Sequence, residues 1–343
     1  LDADFFLGGR MRLDVDAARR AVLERVARPM GLDLTEAAWG IHRVVDENMA
    51  GAARVHGIER GKDLRGYPLF AFGGAGPVHA WHVGRILRVP RVLVPHGAGA
   101  LSAYGLLAAP LAFDFVRTAP QRLASADWAL INRLFEEMET EGRTIVRGAG
   151  VAEQDVTVRR SAEMRYFGQG HEVDVQIPRG PLGPASLETI TASFEAAYRL
   201  LYSRTPQGVP LEALNWRAVV SGPAPESLGE SAVVGGGGAA PGASAGGRSV
   251  GARLASRSRQ ARRAHATVGP PQLKGSRTAY FPESGGYVET PVYDRYALGP
   301  GARLAGPAIV EERESTTVVG PAAVVTVDAY RTLIIAPAAA ETR

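Results

Sequence analysis

Cysteine is absent from the 343 residues of this chain, and its absence excludes disulfide bonds and thiolate chemistry. Lysine occurs only as Lys62 and Lys274, so the net charge of +4 comes from arginine, a bias typical of genome composition. No apolar run approaches the roughly 20 residues that span a bilayer. We therefore expect no nucleic-acid partner and no membrane partner, and a reducing cytoplasm is the simplest location for a chain without cysteine.

The chain does contain ample apolar material. Hydrophobic residues make up 45% of it and charged residues 22%, which is sufficient for two or three domains with cores of their own.

The first part of the chain predicts two helices, over residues 14–30 and 35–56. Thr35 is the expected N-cap of the second helix, because its hydroxyl can accept a hydrogen bond from a first-turn amide. The apolar or small positions of that helix include Ile41, Val44, Val45 and Met49.

A glycine-rich loop is the most informative feature of the sequence. Residues 69–72 form a short apolar run, residues 73–76 read GGAG, and Pro77 opens an apolar segment that contains alanine. Glycine adopts backbone conformations closed to other residues, and proline at the first helical position loses no hydrogen bond. The free amides of the first helical turn favour an anion or a polar ring edge. The pattern predicts a strand, a nucleotide-type loop and a helix, although a tight turn needed only for steric reasons gives the same sequence.

A second strand, loop and helix follow at residues 91–95, 97–99 and 101–107. Strands that alternate with helices imply a parallel or mixed sheet covered by helices. The fold class predicted for this part of the chain is therefore α/β.

From residue 128 the pattern changes to that of an α+β module. Its predicted elements are a helix at 128–148, strands at 156–165 and 172–177, a helix at 187–202 and a strand at 211–220. The next stretch, 226–275, is rich in Gly, Ala, Ser and Arg, and it holds too little apolar surface to offset its ordering entropy. We predict a disordered linker there in preference to an RNA-binding or membrane-surface segment, because no aromatic residue is interleaved for base stacking.

Residues 277–335 alternate apolar and polar side chains between Gly-Pro turns, which predicts a small all-β unit. The predicted domain organisation is accordingly an α/β part, an α+β module, a linker and a β-rich C-terminal unit. Their bounds are 1–118, 119–225, 226–275 and 276–343.

Five separated motifs, in one order, give the chain a resemblance to a known family. They are FGGAGPVHA at 72–80, LSAYGLL at 101–107, MRYFGQGHEV at 164–173, YVETPVYDR at 287–295 and GPAIVEERESTTVV at 306–319. The sequence resembles the hydantoinase A/5-oxoprolinase family, which also includes the ATP-dependent ketone carboxylases. In the second loop, His96 and Ala98 stand where this family commonly has prolines, which predicts a more flexible turn.

The resemblance implies an ATP-binding part similar to actin and the sugar kinases. It implies that the loop meets the adenosine or ribose side of ATP, bound with Mg²⁺. The cofactor-binding residues would then be Gly73, Gly74, Ala75, Gly76 and Pro77. No acidic, glycine-rich phosphate loop is visible in the sequence, so we expect a fragment that holds the second half of this part.

The reaction implied by the resemblance is ATP-dependent hydrolysis of a cyclic amide, with phosphorylation of the carbonyl oxygen of a lactam, imide or hydantoin. A hydantoinase B-type subunit or domain would supply the hydrolytic site and any metal, so a hetero-oligomer is expected. One alternative applies the same activation to a ketone enol, as a subunit of an ATP-dependent ketone carboxylase. Another is an inactive truncated remnant or an interaction module.

Candidate catalytic residues come from two places. His79 and His82 share a helix face at a spacing able to bind metal, but without a carboxylate nearby in sequence such a pair more often packs or lies at the surface. We therefore assign no metal and take His79 as a candidate substrate-side residue. The loop 165–172 presents Gln169, His171 and Glu172, of which His171 and Glu172 are either an acid/base pair or incidental polar groups of a turn.

Two further polar features are less specific. Asn48 is either a buried hydrogen-bonding residue that faces the site or a solvent-exposed one. The acidic residues Glu311, Glu312 and Glu314 are expected to serve packing or partner contact rather than catalysis.

Overall fold

The computed structural model describes residues 2–202, 205–206, 208–225 and 271–337. The chain divides into two compact units. Unit 1 comprises Leu1–Gly105 together with Gly229–Arg343, and unit 2 comprises Leu106–Leu228. The predicted linker lies mostly outside the described residues, but its last three residues belong to a strand that begins at Leu273.

The helices and strands follow in chain order. The helices are α1 (Val15–Val22), α2 (Arg28–Met30), α3 (Leu34–Glu59), α4 (Gly76–Leu87), α5 (Leu101–Ala108), α6 (Trp128–Gly148) and α7 (Ser186–Leu201), and a π-helical turn, Leu23–Ala27, joins α1 to α2. The strands are β1 (Leu69–Phe70), β2 (Val92–Val94), β3 (Ala112–Arg122), β4 (Thr157–Tyr166), β5 (Val173–Ile177), β6 (Leu211–Ser221), β7 (Leu273–Phe281), β8 (Gly286–Asp294), β9 (Arg303–Ala305), β10 (Ala308–Glu311), β11 (Thr316–Val319), β12 (Ala323–Val327) and β13 (Leu333–Pro337).

Helix α3 begins one residue before the predicted N-cap. The Asp33 carboxylate accepts a hydrogen bond from the Glu36 amide, and the Glu36 carboxylate accepts one from the Asp33 amide. This reciprocal capping box satisfies two amides at once. The prediction of Thr35 as the cap is therefore wrong, and its hydroxyl bonds instead to the Tyr287 hydroxyl at 2.9 Å.

The first sheet of unit 1 has the order β1-β2-β13-β12-β9. β1 and β2 are parallel, and β13 runs antiparallel to β2 with Leu333 opposite Val94. The C-terminal strands β9, β12 and β13 thus complete the sheet that β1 and β2 begin, which corrects the prediction of a separate C-terminal unit. The reason is burial: Val92 and Val94 are almost inaccessible, and the apolar strand β13 covers the open edge of β2.

The second sheet of unit 1 has the order β11-β10-β8-β7. β8 and β10 are parallel, and the outer strands β7 and β11 pair antiparallel with them. The short turn between β10 and β11 carries Glu312 and Glu314, and Glu311 ends β10 just before it.

Unit 2 is an antiparallel sheet, β3-β6-β4-β5, packed against α6 and α7. Its core includes Phe135 of α6, Trp216 of β6 and Phe194 of α7, each inaccessible to solvent. The elements predicted from residue 128 onwards are confirmed to within one or two residues. Strand β3 was not predicted, because its residues alternate between exposed and half-buried positions and none is fully buried. Since β3 pairs with β6, unit 2 begins before the predicted residue 119.

Candidate functional site

The predicted strand, loop and helix around the glycine-rich segment are confirmed. The loop follows β1, and α4 begins at Gly76 with Pro77 buried in its first turn. The Gly73 amide donates to the Ala98 carbonyl at 2.8 Å, which ties the first loop to the second. Gly73 has a φ of +87°, a conformation that favours glycine. Because β1 and β2 are parallel, both loops lie at the carboxyl ends of adjacent strands, where α/β sheets bind ligands.

The two sides of the first loop differ in the space they leave. A Cβ atom built on Gly73 or Gly76 would meet nothing within 4 Å, whereas one on Gly74 would lie 3.3 Å from the Glu314 carbonyl oxygen. Within the described ranges, the amides of Gly74 and Ala75 have no hydrogen-bond partner. The loop is therefore packed at Gly74 and open at Gly73 and Gly76, and its free amide donors suit a polar or anionic ligand.

The acidic turn between β10 and β11 packs against both loops. A Cβ atom on Gly99 would lie 2.5 Å from the Glu314 Cβ, so close packing requires glycine at that position. The Glu312 carboxylate accepts hydrogen bonds from the Gly97 amide at 2.8 Å and the Ser315 hydroxyl at 3.0 Å. Glu311 pairs with Lys274 at 2.6 Å. These contacts agree with the packing role among the two roles predicted for these acids.

His96 lies beside this turn. Its Nδ1 is 3.9 Å from the Glu312 carboxylate, and its ring packs edge-on against Tyr296. Burial, with the nearby Arg295 guanidinium, lowers the pKa of His96. Arg295 is only 1% exposed, and burial lowers its pKa to about 10. The second loop is thus held by buried charged and polar groups rather than by the prolines of the family pattern.

A cluster of imidazoles surrounds one buried carboxylate where α3 packs against α4. Asp46 is 1% exposed, and its two oxygens lie 2.7 Å from His79 Nδ1 and 3.2 Å from His42 Nε2. The rings of His42 and His79 stack with centroids 4.5 Å apart. Burial lowers the pKa of His42, although the Asp46 carboxylate opposes the shift. The carboxylate partner of His79 therefore comes from another helix, 33 residues earlier in the chain.

A cavity of about 290 Å³ opens beside this cluster. Asp46, Trp39, His82, Arg85 and Glu283 are among the residues that line it. The Glu283 carboxylate lies 3.4 Å from His82 Nε2 and accepts a hydrogen bond from Arg85 at 2.6 Å. Burial lowers the pKa of His82. Asp46 of the cluster therefore borders a pocket that carries charges of both signs.

The other residues singled out in the sequence lie elsewhere. His171 is exposed in unit 2, and Glu172 accepts a hydrogen bond from Arg165 at 3.2 Å. Gln169 donates to the Tyr198 hydroxyl at 2.9 Å. No hydrogen bond joins His171 to Glu172 in the part of the chain that the structure describes, so the geometry favours a turn with incidental polar groups. Asn48 is exposed.

Sequence reasoning missed His42 and Asp46. The available signal was their i, i+4 spacing, which places two side chains on one helix face. This part of the chain thus has an α/β form, with a glycine-rich loop at the carboxyl ends of parallel strands and a polar cluster at the start of the following helix.

The family follows from comparison with known proteins. Residues 1–115 match the Hydantoinase/oxoprolinase family, and residues 118–250 and 255–336 match the Hydantoinase/oxoprolinase C-terminal domain. The chain belongs to this family. The resemblance drawn from the five motifs is confirmed.

Several characterised proteins are similar to this chain. It is 28% identical over 339 residues to caprolactamase subunit alpha of Pseudomonas jessenii, covering 96% of this chain and 44% of the relative. The acetophenone carboxylase gamma subunit of Aromatoleum aromaticum is 26% identical, with coverages of 98% and 43%. 5-oxoprolinase 1 of Arabidopsis thaliana is 24% identical, with coverages of 90% and 22%. The chain thus spans less than half the length of these relatives.

Solved structures support the same fold. The ATP-dependent caprolactamase from Pseudomonas jessenii superposes with a TM-score of 0.63 at 26% identity, covering 97% of this chain and 44% of that one. Nucleotide-free acetone carboxylase superposes with a TM-score of 0.65 at 23% identity, covering 98% and 45%. In the described residues, every helix is too short or too polar to cross a membrane.

Proposed function

We propose that this chain supplies the adenosine side of the nucleotide site in an ATP-dependent enzyme that opens a cyclic amide. The observation that carries the proposal is the loop at 73–76, with its open face and free amides, in a member of the hydantoinase/oxoprolinase family. The similar caprolactamase is described as ATP-dependent. ATP would supply the phosphoryl group that activates the carbonyl oxygen of an unreactive lactam or hydantoin.

The residues of the loop fit such a ligand. Gly73 and Gly76 leave room for close approach, and the amides of Gly74 and Ala75 offer donors to a ribose or ring edge. Pro77 fixes the start of α4 without removing a bonded amide. These groups bind and orient the nucleotide, while phosphoryl transfer depends on contacts around the phosphates. We expect those contacts, and a B-type partner for the hydrolytic step, from outside this chain, so a hetero-oligomer is the working assembly.

A ketone carboxylase subunit is the second candidate. The acetophenone carboxylase gamma subunit covers nearly all of this chain at an identity close to that of the caprolactamase subunit. The two functions differ in their co-substrate, because carboxylation consumes bicarbonate and ring opening consumes water. In an assembly with its partner chains, bicarbonate-dependent ATP hydrolysis with a ketone would favour the carboxylase, and lactam-dependent hydrolysis without bicarbonate would favour the amide hydrolase.

The nucleotide site is tested with the isolated chain. Covalent photolabelling is used because it detects a nucleotide that binds only weakly. Photolabelling with 8-azido-ATP, followed by peptide mapping, should place the label on the peptide that contains residues 72–80, and excess ATP should suppress it. Gly76→Val adds a branched side chain on the open face and should reduce the labelling several-fold. Gly51→Val, at another helical glycine with nothing within 4 Å of its Cβ position, is the matched control.

Two outcomes would contradict the proposal. One is a label confined to other peptides, and the other is equal labelling of Gly76→Val and the wild type. Gly74→Val is a poor substitute for Gly76→Val, because its side chain meets the Glu314 carbonyl and would disturb the loop without any ligand.

A further inference from the structure

The cluster of His42, Asp46 and His79 has the composition and spacing of a metal site. Each residue offers one donor atom, and the three atoms lie within 4.8 Å of one another. Two donors around one tetrahedral Zn²⁺ lie about 3.4 Å apart, given metal–ligand distances of about 2.1 Å. The three donor atoms are therefore near this spacing, and the side chains must adjust to reach it. In the part of the chain that the structure describes, this is the one group of three or more such side chains at this spacing.

The donor atoms of the three side chains determine which class of metal ion the site would prefer. Two imidazole nitrogens and one carboxylate oxygen suit Zn²⁺ and its first-row neighbours, whereas Mg²⁺ prefers oxygen ligands and keeps several waters. Three protein ligands also leave at least one position open, as in zinc enzymes of the His₂-carboxylate type. The site is therefore distinct in chemistry from the magnesium that accompanies ATP.

We propose that His42, Asp46 and His79 bind one zinc-type divalent ion. The ligands come from two packed helices, α3 and α4, so their backbones are held by helical hydrogen bonds before any metal arrives. Asp46 also lines the cavity of about 290 Å³, so the proposed ion would lie next to this cavity. His79 lies in the first turn of α4, three residues after Gly76, so the ion would sit about one helical turn from the glycine loop.

The simpler interpretation is a buried carboxylate that accepts hydrogen bonds from two neutral histidines. It accounts for the 2.7 Å and 3.2 Å contacts of Asp46. It gives no reason for a third imidazole at the same place, because His82, whose Nε2 lies 3.4 Å from the Glu283 carboxylate, is buried beside the pair. The His82 ring lies 5.4 Å from the His42 ring, so three imidazoles stand close together where α3 packs against α4. Such a concentration of imidazoles is typical of metal sites.

Metal binding requires a defined movement of protons. In the free protein, each imidazole can donate an N–H to Asp46. On binding, His79 Nδ1 and His42 Nε2 turn lone pairs toward the ion, and each ring keeps its proton on the other nitrogen. The Asp46 carboxylate balances part of the ion's charge. The proposal does not depend on the nucleotide site, and it is tested without ATP.

The experiment is a titration of the chelator-treated full chain with Co²⁺, followed by visible ligand-field absorption and by metal analysis. We expect one equivalent of Co²⁺ to bind with an intense, low-symmetry spectrum, and Zn²⁺ to displace it. Asp46→Asn and His42→Asn should each weaken binding by at least about 10-fold. His56→Asn, an exposed histidine on the same helix, is the matched control and should bind as the wild type does.

Two results would overturn the proposal: no stoichiometric binding by the wild type, or equal affinity in Asp46→Asn and the wild type. Because a variant at a buried carboxylate can lose its fold, X-ray absorption on the zinc-loaded wild type provides an independent measurement. The expected shell contains two imidazoles and at least one oxygen. A shell without imidazole would also reject the site.

Discussion

Helices α6 and α3 use their buried faces in opposite ways. Helix α6 buries large apolar side chains, among them Ile131, Phe135 and Met138. Helix α3 buries Ala37, Ala50, Gly57 and the charged Asp46, while the apolar side chains of its predicted pattern, Ile41, Val44, Val45 and Met49, are at least 37% exposed. An apolar stripe thus marks a packing helix in one unit and an exposed surface in the other. Burial along α3 therefore follows its small residues and Asp46 rather than its apolar stripe.

The strongest test of this comparison is truncation of one apolar residue on each helix. Phe135→Ala removes a fully buried ring that packs edge-on against Trp216 and should destabilise unit 2 by about 3–5 kcal/mol. Val44→Ala removes a 61% exposed side chain and should change stability by less than about 0.5 kcal/mol. Chemical unfolding, with hydrogen exchange of β6 and α3 peptides as local probes, measures both. Comparable losses in the two variants would show that the exposed stripe of α3 is covered.

A smaller effect is expected where small residues allow close approach. Gly99→Ala places a methyl group against the Glu314 backbone and side chain and should cost about 1–3 kcal/mol of unit 1 stability. The matched control is Gly76→Ala, whose methyl group enters open space. Thermal unfolding of the two variants separates packing from helix propensity. Equal melting temperatures would mean that the acidic turn moves away at little cost.

The smallest expected effect concerns pH. Burial and Arg295 lower the pKa of His96, so the unfolded chain takes up a proton at a higher pH than the folded chain does. The stability that depends on neutral His96 is present above its ordinary pKa of about 6.5 and is lost as the pH falls toward the lowered value. Glu312 opposes the shift and Arg331 adds to it.

His96→Gln should therefore flatten the fall in stability below about pH 6.5, relative to the wild type. The exposed His171→Gln is the control. Urea unfolding at a series of pH values measures the slope of the unfolding free energy. A slope that is unchanged in His96→Gln would show that this imidazole does not resist protonation in the folded state.

Local patterns predicted much of the fold. The amphipathic period of α6 gave its bounds, and the Gly-Pro signature gave the turn from β1 into α4, because both depend on neighbouring residues. The capping box of α3 is also a local pattern, since Asp33 and Glu36 have the required spacing, and it competes with the hydroxyl of Thr35 as the predicted N-cap. What the sequence could not show is the joining of β13 to β2, which lie about 240 residues apart and pair through register rather than through any local signal.

The candidate site likewise has one part that could be predicted from the sequence and one part that could not. The glycine loop was found from the sequence because its residues are consecutive. The pairing of Asp46 with His79 depends on two helices packing at one particular rotation, and no local pattern specifies that rotation. Only half of the cluster, the i, i+4 relation of His42 and Asp46, is present in the sequence as a readable signal.

The acidic turn between β10 and β11 contacts both glycine loops and restricts their movement. The Glu314 carbonyl touches the first loop near Gly74, the Glu314 side chain touches Gly99 of the second, and Glu312 clamps the Gly97 amide. Neither loop can shift far without pushing this turn, which continues directly into β10 and β11. A ligand bound at residues 73–76 would therefore displace the acidic turn and the strands β10 and β11 that continue from it. A spectroscopic label on the turn at Arg313 would then report ligand binding without lying in the loop itself.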